Sequence, residues 1–178
     1  AAPAVDAGHD ADADADAPFD VVSEDVADVV EEGLPACDPE ALYVYLVTEE
    51  TVLYRYDPAA GSFVSVGLLD CPSGTTPFSM GVNRKGNAFV VYADGELFLV
   101  DVQDASCQQT DFQVGQSGFV TFGMGYAIDD DLMGETLYVD EINFQLPPKG
   151  LARILVPSLE LEFIGPFSQT WGTSMELT

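Results

Sequence analysis

Basic residues are nearly missing from this sequence. Across 178 residues there are five Lys and Arg against 31 Asp and Glu, a formal net charge of −26. Nucleic-acid binding needs Lys and Arg to displace phosphate counterions, so this composition argues against it. An anionic membrane surface is repelled for the same reason. Cations, basic partners and neutral glycans stay open, and solubility in a salty or crowded exterior is the plain reading of the charge. Long apolar runs are also lacking. None reaches the ~18–20 residues of a transmembrane helix, so no integral membrane segment is expected. The opening Ala1-Ala2-Pro3-Ala4 reads as a mature N-terminus left by small-residue cleavage.

Catalytic and metal-binding signatures are scarce. His9 is the single histidine, and it lies in an acidic low-complexity stretch. A Ser-His-Asp triad is therefore disfavoured. No Gly-x-Ser-x-Gly elbow, phosphate loop or dinucleotide fingerprint occurs. The three cysteines, Cys37, Cys71 and Cys107, form no Cys-x-x-Cys pair. A zinc site needs about four closely spaced N/S ligands, so zinc is not expected. Oxidised structural cysteines, and a compartment outside the cytoplasm, fit better. Carboxylates are so numerous that a glycosidase-like pair would arise by chance, and none is assigned. The expectation is a non-enzyme without a cofactor.

What is present divides in two. Residues 1–40 hold 13 acids and no Lys or Arg. Asp10 to Ala17 alternates Asp with Ala, so like charges extend the chain and little can be buried. Loose calcium binding by this run is the functional alternative. Phe19, Val22, Val26 and Val29 stand at helical spacing, which leaves a short docking helix open beside a linker. Residues 1–40 are thus an acidic linker or docking tail.

From residue 41 short runs rich in Val, Tyr, Phe and Leu alternate with Gly, Pro, Asp and Asn, the pattern of short antiparallel strands. Asp94-Gly95 and Asp57-Pro58-Ala59-Ala60-Gly61 read as tight turns. The runs repeat. Phe78-Ser79-Met80-Gly81 matches Phe122-Gly123-Met124-Gly125, 44 residues on, and Trp171-Gly172 through Met175 is a third copy. Leu53-Tyr54-Arg55-Tyr56-Asp57 likewise matches Leu97-Phe98-Leu99-Val100-Asp101. A four-strand unit of about 40–50 residues predicts β-propeller blades, here about 41–68, 76–114 and 119–177. In the permuted order expected, the chain opens on a second strand, and an inner strand at about 170–177 completes a blade. Propellers typically have about four to eight blades. Three therefore call for another copy, a complementary chain, or the remainder of a longer propeller. The fold class predicted is all-β, a propeller or partial propeller behind an acidic tail.

Several residues stand out on this frame. Cys71 follows the outer strand of the first blade and Cys107 begins that of the second, which predicts a Cys71–Cys107 disulfide. Cys37 is then unpaired or intermolecular. Asp129, Asp130, Asp131 and Glu135 offer hard oxygen ligands for weak calcium binding, though a solvated turn is the simpler reading. Phe78, Phe122 and Trp171 hold equivalent repeat positions, and Met80, Met124 and Met175 do so nearly. They are expected to be repeat core, a ligand-lining aromatic ring being the alternative.

Leu53-Tyr54-Arg55-Tyr56-Asp57-Pro58, Cys71-Pro72, Thr76-Pro77-Phe78-Ser79-Met80, Ala105-Ser106-Cys107 and Phe119–Gly125 resemble a family of secreted or lipid-anchored propeller-like proteins of myxobacteria and related deltaproteobacteria. The resemblance covers about residues 40–178. It implies export and fold rather than an activity. In that family the motif matching Met175-Glu176-Leu177-Thr178 usually leads into further blades. The functional expectation is an exported, non-catalytic interaction or structural module, extracellular or at the cell envelope. A carbohydrate- or ligand-binding propeller and a calcium-dependent adhesin are the alternatives.

Overall fold

Three antiparallel sheets form in succession along the chain. A computed structural model describes residues 37–129, 134–142 and 149–168. The first sheet holds β1 (Val44–Val47), β2 (Val52–Asp57) and β3 (Ser62–Leu68), in that order. The second runs β4 (Pro77–Val82), β5 (Asn87–Tyr92), β6 (Leu97–Asp101) and β7 (Cys107–Gln109). The third runs β8 (Phe122–Ile128), β9 (Glu135–Glu141), β10 (Leu151–Leu155) and β11 (Glu160–Gly165). Each sheet is an up-and-down meander of neighbouring strands, which is the propeller blade. The described chain is an all-β partial propeller of three blades.

The turns are set by local chemistry. The Asp57 carboxylate accepts from the N–H of Ala59 and Ala60 at 2.9 and 3.1 Å, so the β2–β3 turn is held before Gly61 takes φ +63°. At the β5–β6 turn Asp94 accepts from Glu96 N–H at 3.1 Å, and Gly95 sits at φ +88°. An added Cβ there would lie 2.7 Å from Val114 Cγ1 and 2.8 Å from the Val120 carbonyl. Both the backbone angle and the space therefore demand glycine.

The repeat is built into the pairing. In the first sheet Val44, Tyr45, Leu46 and Val47 face Tyr56, Arg55, Tyr54 and Leu53. In the second, Ala88, Phe89, Val90 and Val91 face Val100, Leu99, Phe98 and Leu97. Every residue of the first set is 44 positions from its counterpart. By this equivalence β1, β2 and β3 are the second, third and outer strands of their blade. No inner strand lies beside β1 among the described residues, and residues 169–178, with Trp171 and Met175, lie outside them.

Two cores separate the three sheets. Between the first and second lie Leu53, Leu69, Ala88, Val90, Tyr92, Phe98 and Val100, with Tyr45, Val47 and Met80 packed against them. Between the second and third lie Phe89, Val91, Leu97, Phe119, Phe122, Met124, Leu137, Val139 and Ile154, with Phe78 against them. Each large apolar side chain buried contributes about 1.5–3 kcal/mol. Phe78 and Phe122 thus reach one core from its two sides. Met80 belongs to the other core, because the bulge at Phe78 shifts β4 by one residue.

Two expectations are corrected. The outer strand expected over 107–114 is only β7, three residues long. The Thr110 hydroxyl donates to the Leu97 carbonyl at 2.5 Å and turns the chain inward, so that Phe112 is buried between the second and third sheets. The first strand, expected from about residue 41, starts at Val44, because Pro39–Leu42 forms a 3₁₀ turn capped by Asp38. That turn belongs to the folded unit: Asp38 N–H donates to the Arg84 carbonyl at 2.8 Å.

Candidate interaction surface

The disulfide stands at the outer rim between the first two sheets. Cys71, just beyond β3, is bonded to Cys107 at the start of β7, with Cα atoms 4.9 Å apart and 36 residues between them in sequence. Beside it the Asp70 carboxylate accepts from Cys107 N–H at 2.7 Å. Gly67 of β3 lies against Ala105 and Asp104. The bond therefore closes a corner that hydrogen bonding and packing have already brought together. Cys37 is exposed and free.

A second fixed point joins the second and third sheets. Arg84, nine-tenths buried in the β4–β5 turn, faces Glu135 at the start of β9. Its backbone N–H donates to both Glu135 carboxylate oxygens, at 3.0 and 3.2 Å. Its guanidinium lies 3.6 Å from Glu135 and donates to the Gly134 carbonyl at 3.2 Å. Glu135 is thus committed to an arginine, which holds its carboxylate in that pair. Asp129 accepts from the Thr136 hydroxyl at 2.6 Å. Asp130 and Asp131 lie outside the described residues. Among the described residues no group of three or more His, Cys, Asp or Glu is placed to hold a metal.

A polar cleft of about 250 Å³ opens at the same end of the second sheet, among Asp38, Glu40, Lys85, Asn87, Asp101 and Gln108. Glu40 is already engaged. Its carboxylate accepts from the Tyr45 hydroxyl at 3.0 Å and pairs with Arg55 at 3.3 Å. Burial first, and then Glu40, push the Tyr45 phenol well above its usual range.

The remaining surface is the face of the first sheet turned away from the second. The pairing places Val44, Leu46, Val52, Tyr54, Tyr56, Phe63, Ser65 and Leu68 on it. The Tyr56 and Phe63 rings meet there, with centroids 4.7 Å apart. None of the eight carries a charge, on a chain with 31 acids. Val44 is 53% exposed, Leu46 41%, Phe63 62% and Leu68 68%. Their repeat counterparts behave differently. Ala88 and Val90, the equivalents of Val44 and Leu46, are 0% exposed, and Phe98, the equivalent of Tyr54, is also at 0%. Those counterparts are buried because the first sheet lies over them. The sequence marked the strands that make this face but singled out none of its residues. The signal that could have found it was the 44-residue equivalence applied position by position.

No helix among the described residues is long and apolar enough to cross a membrane. No family model matches the sequence, and no curated protein matches it. Solved structures similar to it include the Dos1 propeller, at 11% identity over 72% of this chain with a TM-score of 0.47. The extracellular domain of a hybrid two-component system from B. thetaiotaomicron is similar at 12% identity over 71% of the chain, TM-score 0.45. That of a one-component system from the same organism is similar at 16% over 74%, TM-score 0.43. The chain spans 34%, 15% and 16% of the length of these proteins, respectively. At these scores the fold rests on the sheet order and register described above.

Proposed function

We propose that this chain is an exported, non-catalytic interaction or structural module that works by assembling with other chains or with the remainder of a propeller. The observation that carries this reading is the uncharged face of the first sheet, whose repeat counterparts on the second sheet are buried. Contiguous apolar surface of this kind marks an interaction site on a soluble protein. The Cys71–Cys107 bond supports an extracellular or periplasmic location, since such bonds persist in oxidising compartments. The resemblance to exported myxobacterial propeller-like proteins supports the same placement.

The polar cleft favours a second reading, binding of a small polar or glycan ligand. Its volume of about 250 Å³ falls below the ~300–1,000 Å³ of ordinary ligand pockets. The assembly reading therefore stands first. The test is fractionation of the native source, followed by the native mass and intact-mass composition of every complex that contains the chain. Recovery from the envelope or medium as a multi-chain assembly is expected. Recovery from the cytoplasm as a lone chain with reduced Cys71 and Cys107 would overturn the reading.

A further inference from the structure

The polar cleft at the end of the second sheet holds opposite charges apart, and that separation restricts what it can take. We infer that it binds a compact zwitterion of the free α-amino acid class, with the ligand's carboxylate on Lys85 and its ammonium on Asp101. This rests on the polar-ligand reading of the cleft and deepens it, and it does not depend on the assembly reading.

The first observation is the one base left without a carboxylate. All five Lys and Arg of the chain lie among the described residues. Arg55 pairs with Glu40, Arg84 with Glu135, Lys149 with Glu141 and Arg153 with Glu162. Lys85 alone makes no ion pair among the described residues, although it lines the same cleft as Asp38, Glu40 and Asp101. Its ammonium is exposed and free to meet a ligand.

The second is what keeps the charges apart. The Asn83 side-chain oxygen accepts from the N–H groups of Lys85 and Asn87, both at 3.0 Å, and so shapes the β4–β5 turn. Gly86 of that turn sits at φ +74°, and an added Cβ would lie 3.2 Å from Glu40 Cβ, so the 3₁₀ turn rests directly on it. Asp101 accepts from Gln103 N–H at 2.8 Å, and Asp38 accepts from Glu40 N–H at 3.0 Å. Glu40 is spent on Arg55 and Tyr45. Each carboxylate is tied into its own wall instead of closing onto Lys85. A cleft built in this way loses little freedom when a ligand enters.

The third is a pair of unused amides. Asn87 faces Asp101 across β5 and β6, and Gln108 faces Leu99 across β6 and β7. Neither side-chain amide makes a hydrogen bond among the described residues. Each can donate and accept, so they can complete the shell of a bound ammonium or carboxylate.

Size and charge then select the ligand. A volume of about 250 Å³ suits a single small molecule rather than a peptide or oligosaccharide. A simple anion is repelled by a chain of net charge −26. A simple cation leaves Lys85 facing it, and a neutral polyol gives neither charge a counter-charge. A zwitterion meets both with charge-assisted hydrogen bonds and adds no net charge.

The experiment is two-dimensional NMR of the nitrogen-labelled full chain, titrated separately with four probes. They are L-serine, ethanolamine, which lacks its carboxylate, 3-hydroxypropanoate, which lacks its ammonium, and glucose. Serine at millimolar concentration should shift the backbone amide signals of Lys85, Gly86, Asn87 and Gln108. Each truncated analogue should bind at least tenfold more weakly. Lys85→Gln and Asp101→Asn should each weaken serine binding at least tenfold, with signals away from the cleft unchanged. Asparagine keeps the acceptor for Gln103 N–H, so the turn survives the loss of charge. Serine binding that either variant leaves unchanged, or that either analogue matches, overturns the inference. Shifts from glucose alone overturn it too, but leave the polar-ligand reading of the cleft standing. Silence of the cleft toward all four probes sinks both.

Discussion

Removing the Cys71–Cys107 bond gives the sharpest test of how this fold is held. The bond closes a 36-residue loop spanning the whole of β4, β5 and β6. In the chain-entropy account the stabilisation grows with the logarithm of loop length, and for 36 residues it amounts to about 3.8 kcal/mol. A Cys71→Ala/Cys107→Ala variant keeps the Asp70 hydrogen bond to the residue 107 N–H, because that bond uses only backbone on one side. The native corner should persist, so the loss should come from the freed denatured chain. At ~2–4 °C per kcal/mol for a domain of this size, the melting temperature should fall by about 8–15 °C. Urea titration followed by far-UV circular dichroism measures the free energy directly. It also shows whether the denaturant slope rises, as an expanded unfolded chain requires. A loss below about 1 kcal/mol with an unchanged slope would refute the reasoning. It would mean that contacts such as those of Gly67 with Ala105 already restrain the unfolded ensemble.

Three further outcomes are expected. Tyr92 is buried with its hydroxyl lacking a hydrogen-bond partner, and burial, then Asp94, push its phenol up to about 12. Tyr92→Phe should therefore stabilise by about 1 kcal/mol in thermal melts. Because the folded phenol ionises above the usual value of 10, its contribution is complete below pH 10 and is lost as pH rises toward 12. The phenylalanine variant should lose less stability over that window, and an equal loss would count against Tyr92. Glu135→Ala leaves Arg84 buried without its counter-charge and should cost about 3–5 kcal/mol. Arg84→Met/Glu135→Leu should recover most of it, and a double-mutant cycle with no coupling would show that the pair is incidental. Gly95→Ala combines φ +88° with contacts at 2.7 and 2.8 Å, one to side chain and one to backbone. It should destabilise by more than about 2 kcal/mol in chemical denaturation, and a neutral result would show that the β5–β6 turn relaxes freely.

Much of the architecture was legible because the repeat is carried by residues whose burial is mutual. Leu53 and Leu97, 44 residues apart, are both fully buried and pair in the same register. Turn chemistry at Asp57 and Asp94 was equally local, since a carboxylate that accepts from N–H groups two and three residues on needs no tertiary context. The Cys71–Cys107 pairing followed from placing both residues at one rim. Legibility failed where one side chain answers a demand far off in sequence. Thr110 and Phe112 read as strand residues, but the gap between the second and third sheets draws Phe112 inward and ends β7 early. Glu135 read as a free carboxylate because Arg84, 51 residues away, shows its partner only in three dimensions.

The first-sheet face marks the deeper reason for the gap. Val44, Leu46, Tyr54 and Tyr56 have the alternation and composition of core residues, and at the level of sequence nothing separates them from Ala88, Val90, Phe98 and Val100. A hydrophobic pattern states which atoms gain by leaving water, but it does not say what removes them. The second sheet's face is covered because another sheet precedes it along the chain. The first sheet's face has no preceding sheet among the described residues, yet it keeps the same apolar pattern, free of the acids that crowd the rest of the chain. A solvated blade face would gain nothing from that exclusion of charge, whereas a face that meets another sheet requires it, because each unpaired carboxylate buried there would cost several kcal/mol. The exclusion is therefore better explained by contact with a further sheet than by solubility.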